Sequence, residues 1–247
     1  MTAPVFVATT EQLNRASVVL DGGEAHHAAA SRRLRVGERV VVTDGLGTAA
    51  TGTIVDAARS RVVVEVERRE TQPSATPRVT VVQAIPKGER AERAVELMTE
   101  VGVDTIVPFA AARCVVRWDA ERAKRGVQRW RTTAREAAKQ SRRWWFPDVT
   151  DVAGLADVAR LVNEADLALV LHEVADLPVS HVAVPDDGHL VLVVGPEGGL
   201  ADDEVTTLVD AGAHAVRLGP TVLRSSTAGV VAASALLSRT PRWSRTP

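Results

Sequence analysis

The chain has 247 residues, 45% of them hydrophobic and 25% charged, which suits a globular protein with one large core or two modest ones. A single cysteine, Cys114, leaves no internal disulfide, and the six histidines offer no pair at metal-binding helix spacing with a third ligand nearby, so no metal is expected. No apolar run reaches the roughly 20 residues of a membrane span and the N-terminus lacks a basic flank before a long apolar core, so the expectation is a cytoplasmic protein without a membrane partner.

The first seventy residues read as β-rich, with strands expected at 5–7, 18–20, 39–43, 49–55 and 61–66 and turn signals at Asp21-Gly22-Gly23 and Asp44-Gly45-Leu46-Gly47. Short strands at this spacing point to a small barrel. Within it, residues 24–35 read as one short helix ending before Gly37, with Arg32, Arg33 and Arg35 near its end as a phosphate grip or a solvated cluster. The stretch Thr71-Gln72-Pro73-Ser74-Ala75-Thr76-Pro77 has two prolines and no large apolar residue, which sets a domain at 1–72, a linker at 73–77 and a second domain at 78–247.

The second domain opens with a strand at 79–85, the loop Pro86-Lys87-Gly88 and a helix from near Glu89, with Ala94, Val95, Leu97, Met98 and Val101 at helical spacing and Gly102 as its stop. A strand at 105–109 completes a strand-helix-strand unit, the mark of a parallel sheet. Residues 120–143 read as a long basic helix running into Arg142-Arg143-Trp144-Trp145-Phe146. Its aromatics either stack on splayed bases or plug the core, and plugging is expected for at least two of the three. Then follow a helix at 155–164, a strand at 167–171, a strand at 189–194, a helix at 202–211, a strand at 215–218 and a helix at 226–237.

Charge is segregated along the chain. Residues 78–145 hold fifteen basic and eight acidic side chains, whereas 146–238 hold three basic and fourteen acidic. A polyanion docking on the basic region fits this pattern, and so do helices with solvated charged faces.

Three of the predicted strands end in candidate ligand loops: His172-Glu173, Gly195-Pro196-Glu197-Gly198-Gly199-Leu200, and Gly219 through Ala228. The glycine stretch is no P-loop, because no Lys-Ser/Thr follows, and its glycine spacing is not that of a dinucleotide fingerprint. Glu197 and the acidic helix start at Asp202, Asp203 and Glu204 oppose a phosphate. A cationic or mostly apolar ligand met by backbone groups fits better.

Gly195-Pro196-Glu197-Gly198-Gly199, followed by Leu218-Gly219, Val222-Leu223-Arg224 and Thr227-Ala228, resembles the cofactor-binding end of the RsmE-type 16S rRNA (uridine-N3) methyltransferases of the SPOUT superfamily. The resemblance continues through Lys87-Gly88-Glu89-Arg90, Glu96-Leu97, Glu100-Val101-Gly102-Val103, Arg113-Cys114, Trp130, Glu136-Ala137-Ala138-Lys139-Gln140-Ser141 and Arg143, and through His26, Leu34-Arg35 and Gly37, so it covers nearly the whole chain.

The resemblance implies a PUA-like β-barrel that binds RNA, then an α/β methyltransferase domain whose chain forms a trefoil knot, and a homodimer. It implies transfer of a methyl group from S-adenosylmethionine to N3 of a uridine in the 16S rRNA of the 30S subunit. Carried onto this sequence, the cofactor would be held by Leu171, His172, Val194, Gly195, Pro196, Gly198, Gly199, Leu218, Gly219, Leu223, Ser225, Thr227 and Ala228. Arg224 would stabilise the anionic uracil or its phosphate, or brace its own loop, and Glu197 would orient substrate or cap backbone. RNA would meet Arg32, Arg33, Arg35, Lys87, Arg90, Arg113, Arg142 and Arg143. Two positions depart from the family pattern: Ser226 stands where a glutamate is frequent, and Arg142 where glycine is. Ser226 removes a carboxylate base, so no general base is identified. It also favours the competing reading, a non-catalytic RNA-binding or ribosome assembly factor that keeps the fold, against which the glycine loops speak. A third reading is an α/β enzyme using another nucleoside cofactor.

Overall fold

In the computed structural model, which describes residues 3–28, 33–88 and 90–244, the chain divides into two units. The first takes residues through Ser74 together with Ala138–Phe146, and the second takes Ala75–Ala137 and the chain from Pro147 onward.

The first unit contains β1 (Val5–Val7), α1 (Thr10–Leu13), β2 (Ser17–Asp21), α2 (Gly22–His26), β3 (Arg39–Thr43), β4 (Thr48–Ala58) and β5 (Arg61–Thr71). These strands form one sheet in the order β1-β3-β4-β5-β2, parallel between β1 and β3 and antiparallel elsewhere. Alternating residues such as Val40 and Val42, or Val62 and Val64, point to a shared core with Phe6, Leu13, Val18, Leu20 and Ile54. Register shifts at Thr51/Gly52 and Ile54/Asp56 bend β4 against β5, and Gly52 is needed there because a Cβ would stand 2.1 Å from the Glu65 carbonyl oxygen. The predicted barrel is thus a curled sheet, with β1 and β2 as edges that do not pair with each other among the described residues.

Of the helix expected over 24–35, the described residues show α2 to His26 and a π-helical turn at His27 and Ala28, while Arg33, with a φ of 52°, and the chain to Arg35 are not helical. Ala25 and Ala28 are buried, Leu34 packs against the same core, and its N–H donates to the Ala28 carbonyl. Arg33 and Arg35 are exposed in irregular chain, and Arg32 lies outside the described residues.

Residues 138–146 complete the first unit. Trp145 pairs with Leu46 in an antiparallel bridge, the Trp144 carbonyl accepts from Gly47 N–H at 2.9 Å, and Phe146 N–H donates to the Gly45 carbonyl at 2.9 Å. Gly45 and Gly47 have φ of 72° and 96°, and Cβ atoms there would stand 2.9 Å from Phe146 Cγ and 2.5 Å from Trp145 Cε2. The half-buried Trp145 and Phe146 therefore lie on a glycine turn rather than plugging a core cluster, and Trp145 Nε1 donates to the Gln72 carbonyl at 2.9 Å. Nearby, Lys139 Nζ meets Glu24 Oε1 at 3.1 Å with both side chains largely buried.

The second unit contains β6 (Arg78–Ala84), α3 (Arg90–Glu100), β7 (Thr105–Phe109), α4 (Ala120–Gln140, of which the last residues belong to the first unit), β8 (Asp148–Val149), α5 (Leu155–Asn163) and β9 (Leu167–Leu171). It continues with β10 (Leu177–Pro178), β11 (His189–Val194), α6 (Asp202–Asp210), β12 (His214–Arg217), α7 (Ser225–Leu237) and α8 (Pro241–Ser244). The seven strands form an all-parallel sheet in the order β10-β12-β9-β11-β6-β7-β8. Both faces are covered, which is why β11 reads as an unbroken apolar run: Leu190, Leu192 and Val194 pack with residues of α3 and α7, and Val191 and Val193 pack with residues of α5 and α6. Trp130 of α4 is fully buried against Trp118, edge to face with ring centres 5.9 Å apart.

Candidate functional site

Sheet order decides which loops meet. Because β12, β9 and β11 are neighbours and all parallel, their carboxyl ends lie side by side, and the loops after them converge on one cleft of about 300 Å³. Leu171, His172 and Glu173 form one wall, Val194 through Glu197 with Gly199 a second, and Arg217 through Gly219 with Thr221 through Ser225 and Ala228 the third. Arg90, at the start of α3, also lines it.

Of the residues nominated from sequence for the cofactor, eleven stand on this cleft; Gly198 and Thr227 do not line it. A Cβ on Gly198 would face Arg113 Cβ at 3.6 Å, and Thr227 Oγ1 donates to the Arg224 carbonyl at 3.1 Å within the first turn of α7. Glu197 and Arg224 line the cleft. Four lining residues were not nominated: Glu173, Arg217, Thr221 and Val222.

The glycine loop is tight for identifiable reasons. Gly199 has a φ of 70° and its N–H donates to the Pro196 carbonyl at 2.9 Å, while a Cβ on Gly195 would stand 3.1 Å from Leu200 N. Arg113, nominated for RNA, holds this loop from behind: its Nη1 donates to the Leu200 carbonyl at 2.9 Å and the Gly198 carbonyl at 3.4 Å. The buried carboxylate of Glu204 accepts from Ala112 N–H and Ala201 N–H, each at 2.8 Å, so it is spent on backbone and is no catalytic acid.

Side-chain charges around the cleft are mostly engaged. Glu197 Oε1 accepts from Lys87 N–H at 3.3 Å and sits 3.8 Å from Arg90 Nη1, a loose and partly exposed pair. Arg217 donates to the Ala175 carbonyl at 2.7 Å and to that of Asp176, fixing the chain that follows His172 and Glu173. Arg224 is exposed, and no hydrogen bond or ion pair among the described residues engages its guanidinium. Its carbonyl instead accepts from Thr227 N–H and Ala228 N–H, both at 2.9 Å.

One contributor was missed by sequence reasoning. Gln83 is fully buried in β6 behind the cleft, and its Nε2 donates at 3.0 Å to Ser225 Oγ, which donates at 2.8 Å to the Gly195 carbonyl. The available signal was a lone amide interrupting the apolar strand Val79-Thr80-Val81-Val82-Gln83-Ala84.

Elsewhere, a second cavity opens at the amino ends of the strands, lined by Arg78, Thr80, Thr105, His189 and residues of α5. His189 Nε2 lies 2.8 Å from Thr80 Oγ1, and burial, followed by the charge of Arg78, lowers the histidine pKa from its ordinary value. Burial raises the Cys114 thiol, so it is no thiolate nucleophile at neutral pH. Among the described residues no group of three or more His, Cys, Asp or Glu is placed to hold a metal ion, and no helix is long and apolar enough to cross a membrane.

Comparison with known proteins places this geometry among relatives. A family model described as an RNA methyltransferase domain matches residues 72–237, and one described as an RNA methyltransferase PUA domain matches residues 20–67. The chain is 47% identical over 247 residues to the ribosomal RNA small subunit methyltransferase E of Mycobacterium bovis, spanning 98% of this chain and 94% of that protein. It is 30% identical over 241 residues to the Bacillus subtilis protein of the same name, with 94% of each covered. Among solved structures, the Neisseria gonorrhoeae ribosomal RNA small subunit methyltransferase E bound to S-adenosylmethionine superposes with a TM-score of 0.85 at 26% identity, covering 97% of this chain and 98% of that one.

Proposed function

The chain belongs to the RNA methyltransferase family that includes ribosomal RNA small subunit methyltransferase E, and from that premise we propose that it methylates N3 of a uridine in 16S rRNA, on the small ribosomal subunit, with S-adenosylmethionine as donor. The observation that carries this reading is the convergence of three strand-end loops on one cleft lined by backbone, apolar side chains, two carboxylates and three arginines. Leu171, Val194, Leu218, Leu223 and Ala228 suit the faces of an adenine, and Glu173 and Glu197 suit the donor's positive charges.

The donor, when bound, supplies an electrophilic methyl on sulfur. The protein has to place uracil N3 in line with it, and positioning of this kind accounts for much of such catalysis. N3 lies on the Watson-Crick edge, so the base must be unpaired or extruded. Loss of the N3 proton leaves negative charge on the base, and Arg224, the cleft cation with no partner among the described residues, stabilises it. Ser226 offers no carboxylate for removal of that proton.

Lys87, Arg90 and, in the first unit, Arg33, Arg35, Arg142 and Arg143 are read as phosphate contacts, while Arg113 serves the loop. The domains are taken as a PUA-like unit at 1–72 and a methyltransferase domain at 78–247, with 138–146 folding as part of the former. A trefoil knot is proposed for the C-terminal segment, supported by how closely α7 is drawn onto β6 and β11 at Gly229. A homodimer is supported by α7 too, since the helix is apolar on every side yet leaves Val231 exposed. Cytoplasm, where small subunits are assembled, is the proposed location.

The test is incubation of the protein with labelled S-adenosylmethionine and small ribosomal subunits lacking the modification, followed by nucleoside analysis. N3-methyluridine is expected. Binding without transfer would turn the reading to an assembly factor.

A further inference from the structure

Gln83 and Ser225 lie 142 positions apart and meet in the interior, where they tie the two glycine stretches together. Gln83 stands beside Val194 in the β6–β11 register, one residue before the glycine loop begins, and shares a sheet face with Val79 and Val81. Its Nε2 has two hydrogens and two takers, the Ala84 carbonyl and Ser225 Oγ, each at 3.0 Å. A carbonyl can only accept, so the amide orientation is determined: nitrogen toward Ala84 and Ser225, oxygen away. Since Ser225 Oγ already accepts from Gln83, its own hydrogen is directed to the Gly195 carbonyl, 2.8 Å away. The donors therefore run one way, from Gln83 to Ser225 to Gly195. Gly229, one turn into α7, lets this happen. A Cβ there would lie 3.1 Å from Met98 Sδ, 3.3 Å from Val81 Cγ1 and 3.4 Å from Val194 Cγ2, so a larger residue would press on the side chains that α7 rests on.

The other end of the amide shows what the arrangement is for. Gln83 Oε1 is buried with no hydrogen-bond partner among the described residues. The amide donates to two buried acceptors, and through Ser225 it imposes a single orientation on the hydroxyl that meets Gly195. We propose that Gln83 is a positioning residue for cofactor binding, acting through Ser225 to hold the Gly195 carbonyl and thereby the spacing between the glycine loop and the start of α7. Ser225 then works through its hydrogen bond to Gly195 and not by touching the donor. The inference rests on the cleft being the S-adenosylmethionine site.

The test compares wild type with Gln83→Met, Ser225→Ala, the double variant and Ser225→Thr, reading calorimetric affinity for S-adenosylmethionine alongside thermal melting. Gln83→Met should melt close to wild type yet bind about tenfold more weakly, the effect of one buried hydrogen bond. The double variant should bind about as weakly as the weaker single one, since both changes break one relay, and Ser225→Thr, which keeps the hydroxyl, should stay within about threefold of wild type. Wild-type affinity in Gln83→Met, additive losses in the double variant, or losses that follow the melting temperature would each overturn the relay and leave the functional reading standing. A wild-type protein that binds no S-adenosylmethionine would overturn the functional reading, and the relay with it.

Discussion

Arg224 and Arg113 have the same side chain within one domain and opposite employments. Arg113 is bound to two carbonyls of the glycine loop, while the Arg224 guanidinium stands at the cleft with no partner among the described residues. Arg224→Ala should therefore leave S-adenosylmethionine affinity within about twofold of wild type and lower single-turnover methyl transfer by about a hundredfold, the usual loss for one donor aimed at developing negative charge. Transfer at the wild-type rate would remove Arg224 from the chemistry. His189 predicts a pH effect on stability. Its folded pKa lies below the ordinary 6.5, so the unfolded chain takes the proton more readily. Its contribution is full above that value and is lost as pH falls through the lower folded one. Melting between pH 7 and pH 5 should accordingly decline less in His189→Gln than in wild type. At this scale sequence was a partial guide: glycines that must turn a loop are legible, but whether an arginine meets RNA or a carbonyl oxygen depends on neighbours far away in the chain. Gln83 and Arg217 were overlooked for that reason, since their partners lie 142 and about 41 positions off.

Among the elements, the long regular ones follow their patterns and the exceptions have causes. Strands β3, β7, β9 and β11 lie where apolar runs bounded by turn residues put them. Two-residue strands such as β8 and β10 carry too few side chains for any pattern, and they exist because a neighbouring strand offers an edge. Residues 33–35 are not helical although the pattern extends to them, and Leu34 packs on the core of the first unit, a tertiary contact that local propensity does not record. α7 is the element on which the cleft most depends, as it brings Ser225 and Ala228 to the site and rests on β6 and β11 through Gly229. Gly229→Val should cost about 1–3 kcal/mol of stability by overpacking and weaken cofactor binding together with it, measured by denaturant unfolding and calorimetry. An unchanged midpoint would mean that the helix has room the contacts deny.

For the molecule as a whole, the charge map makes the clearest prediction. The basic block at 78–145 and the acidic block at 146–238 predict RNA held chiefly by phosphate contacts of the basic block. Raising salt from about 50 to about 200 mM should weaken binding to a small-subunit rRNA fragment more than tenfold in fluorescence anisotropy. Salt-insensitive affinity would discard the basic surface. Light scattering should return twice the chain's mass if Val231 of α7 is covered by a second copy. The sequence by itself determined the alternation of strands and helices, the parallel character of the second unit's sheet and the glycine loops, because each rests on neighbouring residues. Only the tertiary structure decided that β12, β9 and β11 are adjacent, that residues 138–146 return to the first unit, and that Gln83 reaches Ser225. Those facts depend on which distant segments bury their surfaces together, and local periodicity carries no record of that choice.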